Sequence, residues 1–212
     1  MPTLYYFDLY GRGEPMRMLL SHAGVHYEDK RLTSEQFMAM KQAGQLPSGQ
    51  LPLWEDEGRT VNQTSAILRL LGKQHGYYSN DPMEGFNADW AVETAGDVFG
   101  PAFVGLLFKP GDSLTQEDID GGVEKFAKWV KTVEARLASL PGVFFGGNSI
   151  NIGDFMLFAL FSSCVRNEGA NSAAFREALV GTLSEATNVN KWLDAMTAEL
   201  KDYLAQRPLR PL

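Results

Sequence analysis

Cysteine, histidine and basic charge are scarce in this chain, and each shortage closes off a class of function. Among 212 residues there is one cysteine, Cys164, which excludes an intramolecular disulfide and a C-x-x-C redox pair. Its apolar neighbours in "LFALFSSCVR" mark it as an inert buried thiol. The three histidines, His22, His26 and His75, have no ligand-like spacing, so no metal site is predicted. With 19 Lys+Arg against 26 Asp+Glu and a formal net charge of -7, no basic face is available for phosphates. Nucleic acid is therefore not an expected partner. Long apolar runs are also missing. The nearly uncharged stretch 150–165 contains Asn151, Gly153 and Asp154 and falls short of the roughly 20 apolar residues of a membrane span. The opening "MPTLYYFDLY" has neither a basic n-region nor a continuous apolar h-region, so no secretory signal is expected. A cytoplasmic protein with small-molecule or protein partners and no membrane is predicted.

What is present is an ordinary globular composition, 44% hydrophobic and 21% charged, on a chain long enough for two domains. "TLYYF" reads as a first strand. "GRGEPMRMLLSHAG" follows as a helix with Pro15 near its start and Gly24 as a stop. "VHYEDKRL" and "SEQFMAMKQA" repeat the pair, with Ser34 as the expected cap. "LPLWED" and "TVNQ" around "DEGR" form a hairpin, and "TSAILRLLGKQHG" is a helix closed by Gly76. The order is βαβαββα over residues 1–76, then a polar linker at 77–82 and a helical bundle over 83–212. The bundle shows four amphipathic stretches, apolar every three or four residues. Thr115 with Asp118, and Asn151 with Asp154, are predicted helix caps.

This α+β organisation, with "YYFDLYGRGEPMR" at its start, resembles the cytosolic glutathione transferases: a thioredoxin-like domain followed by an all-helical one. The first motif looks most like the sigma class and its mu, pi and alpha neighbours, whose first strand supplies a tyrosine. "QLPLW", "NQTSAILRLL", "FFGGNSINIGDF" and "YLAQRPLRPL" extend the resemblance over the whole chain.

The resemblance implies an enzyme that binds glutathione and transfers its thiolate to hydrophobic electrophiles, with no cofactor beyond that co-substrate. A free thiol of pKa about 8.5 is only a few per cent ionised at neutral pH, and the thiolate is the nucleophile. By alignment of the motif the catalytic tyrosine is Tyr6, which directly precedes Phe7, with Arg12 as its cationic helper. Strand alternation sends Tyr5 and Phe7 to the other sheet face. Gly11 and Gly13 let the loop turn and the backbone approach a ligand.

Further glutathione contacts are implied at Lys41, Gln50, Leu51, Pro52, Gln63 and Thr64. Pro52 is expected to be cis, exposing the Leu51 backbone as an edge for the cysteinyl residue. Gln63 and Thr64 stand at a helix start suited to a carboxylate, where Ser65 is an alternative cap. Phe37 occupies the place of a customary Trp and cannot donate its N–H bond. Asp97 matches an acid that reaches across a homodimer interface. Tyr10, Phe99, Phe103 and Leu212 are the candidate walls of the second-substrate pocket. Two other functions are open at this stage: a glutathione-dependent isomerase such as a prostaglandin D synthase, and a non-enzymatic carrier or crystallin-like protein. The second is disfavoured by the presence of Tyr6, Arg12, Pro52, Gln63 and Thr64.

Overall fold

The computed structural model describes residues 1–210, apart from the side chains of Pro101, Ala102 and Asp112. Leu212, expected at the second-substrate pocket, lies outside the described residues. The first third holds β1 (Thr3–Phe7), α1 (Glu14–His22), β2 (Glu28–Leu32), α2 (Ser34–Gln42), β3 (Leu53–Asp56), β4 (Arg59–Asn62) and α3 (Thr64–His75). The strands form one mixed sheet in the order β2-β1-β3-β4. β1 runs parallel to β2 and antiparallel to β3, with Tyr6 beside Arg31 and Leu4 beside Trp54.

Period-two alternation gives β1 two unlike faces. Leu4 and Tyr6 are buried, while Tyr5 and Phe7 are only half-buried on the opposite face. There Phe7 meets Phe37 of α2 at 5.2 Å between ring centroids, and the Tyr5 hydroxyl donates to Glu55 at 2.9 Å. α2 starts one residue earlier than its sequence cap suggests. Thr33, not Ser34, is the cap: its hydroxyl accepts from the Gln36 N–H at 3.2 Å and its own N–H donates back to Gln36 Oε1 at 2.8 Å. α3 ends where Gly76 adopts φ +82 and its N–H returns to the Gly72 carbonyl, the left-handed closure that glycine permits.

Beyond it come α4 (Pro82–Val98), α5 (Pro101–Phe108), α6 (Gln116–Ala138), α7 (Ile152–Cys164), α8 (Ala173–Gly181), α9 (Thr187–Glu199) and α10 (Lys201–Gln206). The four helical stretches read from sequence thus become seven helices among the described residues. Pro101 opens α5 just after α4 ends, since proline is tolerated in a first helical turn and not in an interior. Leu200 separates α9 from α10, and α8 lies in a segment with no sequence-level prediction. Thr115 and Asn151 cap α6 and α7 with reciprocal bonds from Asp118 and Asp154.

α7 is buried along nearly its whole length and packs between α1 and α4, so one apolar core continues from Leu4 through Phe155 and Trp192 to Leu200. Each fully buried large apolar side chain contributes about 1.5–3 kcal/mol by leaving water. Cys164, at the end of α7, is buried, and burial pushes its thiol up. α1 and α3 therefore face the helical domain, and the ends of β1 and β4 open at the seam between the two.

Candidate active site at the domain seam

Tyr6 is the last residue but one of β1, just ahead of a loop that folds back over it. Residues 11–13 form a single tight turn leading directly into α1, and its Arg12 N–H donates to the Tyr6 hydroxyl oxygen at 2.9 Å. The two glycines of this turn have a specific role. A Cβ on Gly11, whose φ is +43, would stand 2.8 Å from Tyr6 Oη. One on Gly13 would stand 2.7 and 2.8 Å from Tyr6 Cδ1 and Cγ. The loop lies on the phenol ring because neither residue has a side chain, so the close approach these glycines permit is to Tyr6 itself.

Tyr6 is 7% exposed. Burial raises its pKa above the ordinary tyrosine value, while the Arg12 N–H and the charges of Arg12 and Arg17 pull it down. The phenol is therefore protonated at neutral pH, and its oxygen already accepts one bond. Among the described residues its own proton meets no acceptor.

Three recesses meet at Arg12, and Tyr6 lines one of them. One, about 190 Å³, is lined by Tyr6, Arg12 and the apolar Leu9, Phe99, Val104 and Phe108. A second, about 240 Å³, runs from Arg12 past Gln63, Thr64 and Ser65 to Glu93, Phe99 and Met156. The third is a small polar crevice between Arg12, Gln50, Leu51, Pro52, Gln63 and Thr64. The Leu51–Pro52 bond is cis, and Leu51 is half-buried just ahead of β3.

Gln63 takes φ +74, a conformation a side chain tolerates at a cost of order 1–3 kcal/mol and one found mostly at functional sites. It precedes α3, whose first turn has no side-chain cap, from Ser65 or any other residue. Free N–H groups and the positive end of the helix dipole therefore face the cleft. Arg12 is exposed at its centre, with no side-chain hydrogen bond or ion pair among the described residues. Glu93 on the far wall is tied to Arg69 at 2.7 Å.

The other sequence-predicted residues fall in three groups. Tyr6, Arg12, Gln50, Leu51, Pro52, Gln63, Thr64 and Phe99 line the recesses. Lys41 and Asp97 do not. Lys41 is exposed on α2, 5.9 Å from the Phe37 ring centroid, and its Cε would lie 3.4 Å from a Cβ built on Gly49. Asp97 is exposed on α4, one residue past the lining Gly96.

Two residues are corrections. Tyr10 is 1% exposed, and its hydroxyl donates to the Pro208 carbonyl at 3.0 Å while accepting from the Arg210 N–H at 3.2 Å. It anchors the C-terminal segment and is not a pocket wall. Phe103 is also 1% exposed, 6.0 Å from Phe126 and 5.9 Å from Phe175 in the helical core. Leu9, Val104, Phe108 and Met156 are among the walls that the sequence does not mark. Two of them lie in the apolar run "PAFVGLLF", where spacing does not separate a cleft wall from the core, and apolar residues of a helix more often end in a core.

The arrangement is a small βαβαββα domain with a cis-proline edge, a helix N-terminus and a phenol donor, opening on an apolar recess against a helical domain. It can hold an anionic, extended peptide with a polarisable group at Tyr6. Comparisons with known proteins agree with that class. Residues 2–73 match the family model of the glutathione S-transferase N-terminal domain. Glutathione S-transferase 1 of Ascaris suum is 30% identical over 217 residues, covering 98% of this chain and 97% of the relative. Glutathione S-transferase A4 of Mus musculus is 32% identical over 157 residues, covering 74% of this chain and 70% of the relative. The crystal structure of the glutathione S-transferase from Ascaris lumbricoides superposes with a TM-score of 0.84 at 28% identity, covering 100% of both chains. The chain belongs to the glutathione S-transferase family. It is an enzyme, and its activity is glutathione transfer.

Proposed function

We propose that Tyr6 is the group that ionises the thiol of glutathione, with Arg12 as the nearby cation, and that the thiolate then attacks a soft electrophilic carbon held in the apolar recess. One observation carries this reading: the Tyr6 hydroxyl accepts from the Arg12 N–H at 2.9 Å and keeps its own proton for whatever enters the cleft. Bringing a thiol from a pKa of about 8.5 down by two units takes about 2.7 kcal/mol of preference for the anion. A hydrogen bond to a charged acceptor contributes about 1.5–3 kcal/mol, and the Arg12 charge adds to it.

The rest of glutathione follows from the donors. Its γ-glutamyl carboxylate lies at the start of α3 with Gln63 and Thr64, where N–H groups are free. Its cysteinyl backbone pairs with Leu51 ahead of Pro52, and its glycyl end points towards Gln50 and Lys41. The electrophile rests on Leu9, Phe99, Val104 and Phe108. Asp97 serves the site of a second copy in a two-fold homodimer, a reading supported by exposed Met83 and Phe86 on the same helix and Leu70 on α3. A tyrosine-type, sigma-like enzyme working in the cytoplasm, with no cofactor beyond glutathione, completes the proposal.

Tyr6→Phe removes the donor and leaves the packing. Conjugation of an aryl halide should fall at least tenfold in kcat/KM, while the KM for glutathione stays within about twofold. Equal rates for the two proteins would remove Tyr6 from this role.

A further inference from the structure

Behind the Tyr6 ring, away from the cleft, lies a charge cluster that the thiol chemistry above leaves unused. Glu14 and Arg17 of α1 are both fully buried. A guanidinium is stable there only if its donors are met, so the groups that meet them are informative. Nε donates to Asp29 on β2, 3.1 Å from each carboxylate oxygen. Nη1 donates to the Leu9 carbonyl at 2.7 Å and lies 3.4 Å from both the Tyr10 carbonyl and Glu14. Nη2 donates to the Phe7 carbonyl at 3.3 Å.

Three of these acceptors are backbone carbonyls of residues 7–10, the segment that joins Tyr6 to Gly11-Arg12-Gly13. The guanidinium carbon also stands 5.7 Å from the Tyr6 ring centroid. One cation therefore holds both the loop whose N–H reaches the hydroxyl and the ring that carries it. Glu14 is in turn gripped from far along the chain. Its Oε1 accepts from the Tyr203 hydroxyl at 2.8 Å and from Arg207 at 2.9 Å.

We propose that Arg17 is a positioning residue for the thiol chemistry, setting the Tyr6 hydroxyl through the backbone of residues 7–10 and through the phenol ring, with Glu14, Tyr203 and Arg207 as its clamp. The proposal rests on Tyr6 being the donor to sulfur. A planar fork is required, because one ammonium group cannot span Asp29 and carbonyls on several sides. A positive charge against the ring draws electron density from the O–H bond and strengthens it as a donor. The Arg17 charge lowers the Tyr6 pKa against the effect of burial, in the same sense. If Arg17 is lost, donation weakens, the thiolate is less favoured, and the acid limb of the rate profile moves to higher pH.

The test compares wild type, Tyr6→Phe, Arg17→Lys and the double variant. The pH profile of kcat/KM and the ultraviolet absorbance of the bound thiolate both report the thiol pKa. Arg17→Lys should raise that pKa by about half a unit, a factor of about three in ionisation constant, with the glutathione KM within about twofold. In the Tyr6→Phe background it should add no further shift, because both changes act through one hydroxyl. A wild-type profile for Arg17→Lys, or an equal shift added on top of Tyr6→Phe, overturns the proposal; a purely structural role would lower the active fraction without moving the profile. If Tyr6→Phe alone leaves the thiol pKa unchanged, it is the assignment of Tyr6 that fails, and the role of Arg17 falls with it. Should Arg17→Lys not fold, Arg207→Met at the clamp decides. A shift in the same direction that vanishes with Tyr6→Phe supports the proposal, and an unmoved profile overturns it.

Discussion

Two buried polar knots organise this protein, one at the end of β1 and one at the start of α7, and they differ in whether their hydrogen bonds are closed. In the second, the Asp154 carboxylate accepts from the Phe145 N–H at 3.0 Å, the Asn151 N–H at 2.9 Å and the Trp192 indole at 2.8 Å. It is fully buried and no recess described above reaches it. Burial pushes its carboxyl up to about 6 while these donors pull it down, so at neutral pH it is an anion with its acceptors served. In the first, Arg17 and Glu14 are similarly enclosed, yet the Tyr6 hydroxyl in front of them keeps one donor unspent on a cleft wall. A closed knot can only hold the chain together, whereas an open one backed by closed neighbours can act on a ligand.

The largest expected effect comes from breaking the closed knot. Asp154→Ala strands three buried donors and should cost about 3 kcal/mol of stability, read as a lower midpoint in urea. The thiol pKa of bound glutathione should stay unchanged in the protein that remains folded, and a shifted thiol pKa would mean that the two knots are coupled. Gly13→Ala attacks the open knot instead. Its Cβ would fall within 2.8 Å of the Tyr6 ring, displacing the ring at a cost of about 1–3 kcal/mol and lowering kcat/KM by about tenfold. Wild-type activity from a stable Gly13→Ala protein would show that the loop need not lie on the ring.

Tyr10→Phe is the mildest change. It loses the bonds to Pro208 and Arg210 but keeps the ring beneath the Arg207 guanidinium, 4.2 Å away, and should cost about 1 kcal/mol. Because Tyr10 does not line the recesses, the electrophile KM should not move. A severalfold rise would return Tyr10 to the pocket wall.

Tyr6 at the end of a strand, the Gly-Arg-Gly turn, Pro52 before β3 and the caps at Thr115 and Asn151 all depend on neighbours a few residues apart, so they leave a local signature. The sequence points to Ser34 as a cap, yet Thr33, one residue earlier, carries an equally suitable hydroxyl and bonds to Gln36. Tyr10 departs from its sequence expectation for a different reason. Its partners Pro208 and Arg210 lie about 200 residues away in sequence, and no local pattern records them. Sequence does not sort Phe103, because an aromatic on a helix has the same spacing whether it meets Phe126 in the core or a ligand in a cleft.

By itself, the sequence determined the βαβαββα order, the helical remainder, the position of the tyrosine at the strand end and the turn residues that follow it. These rest on periodicity, capping and backbone preference, which act within a few residues. Only the tertiary structure decided which aromatic residues are core and which are cleft, and that Arg17 and Glu14 are buried beneath the Tyr6 loop. It also decided that the chain's last described residues clamp its first. Those outcomes depend on burial and on long-range pairing, where a buried charge is tolerated only if distant segments arrive to satisfy it.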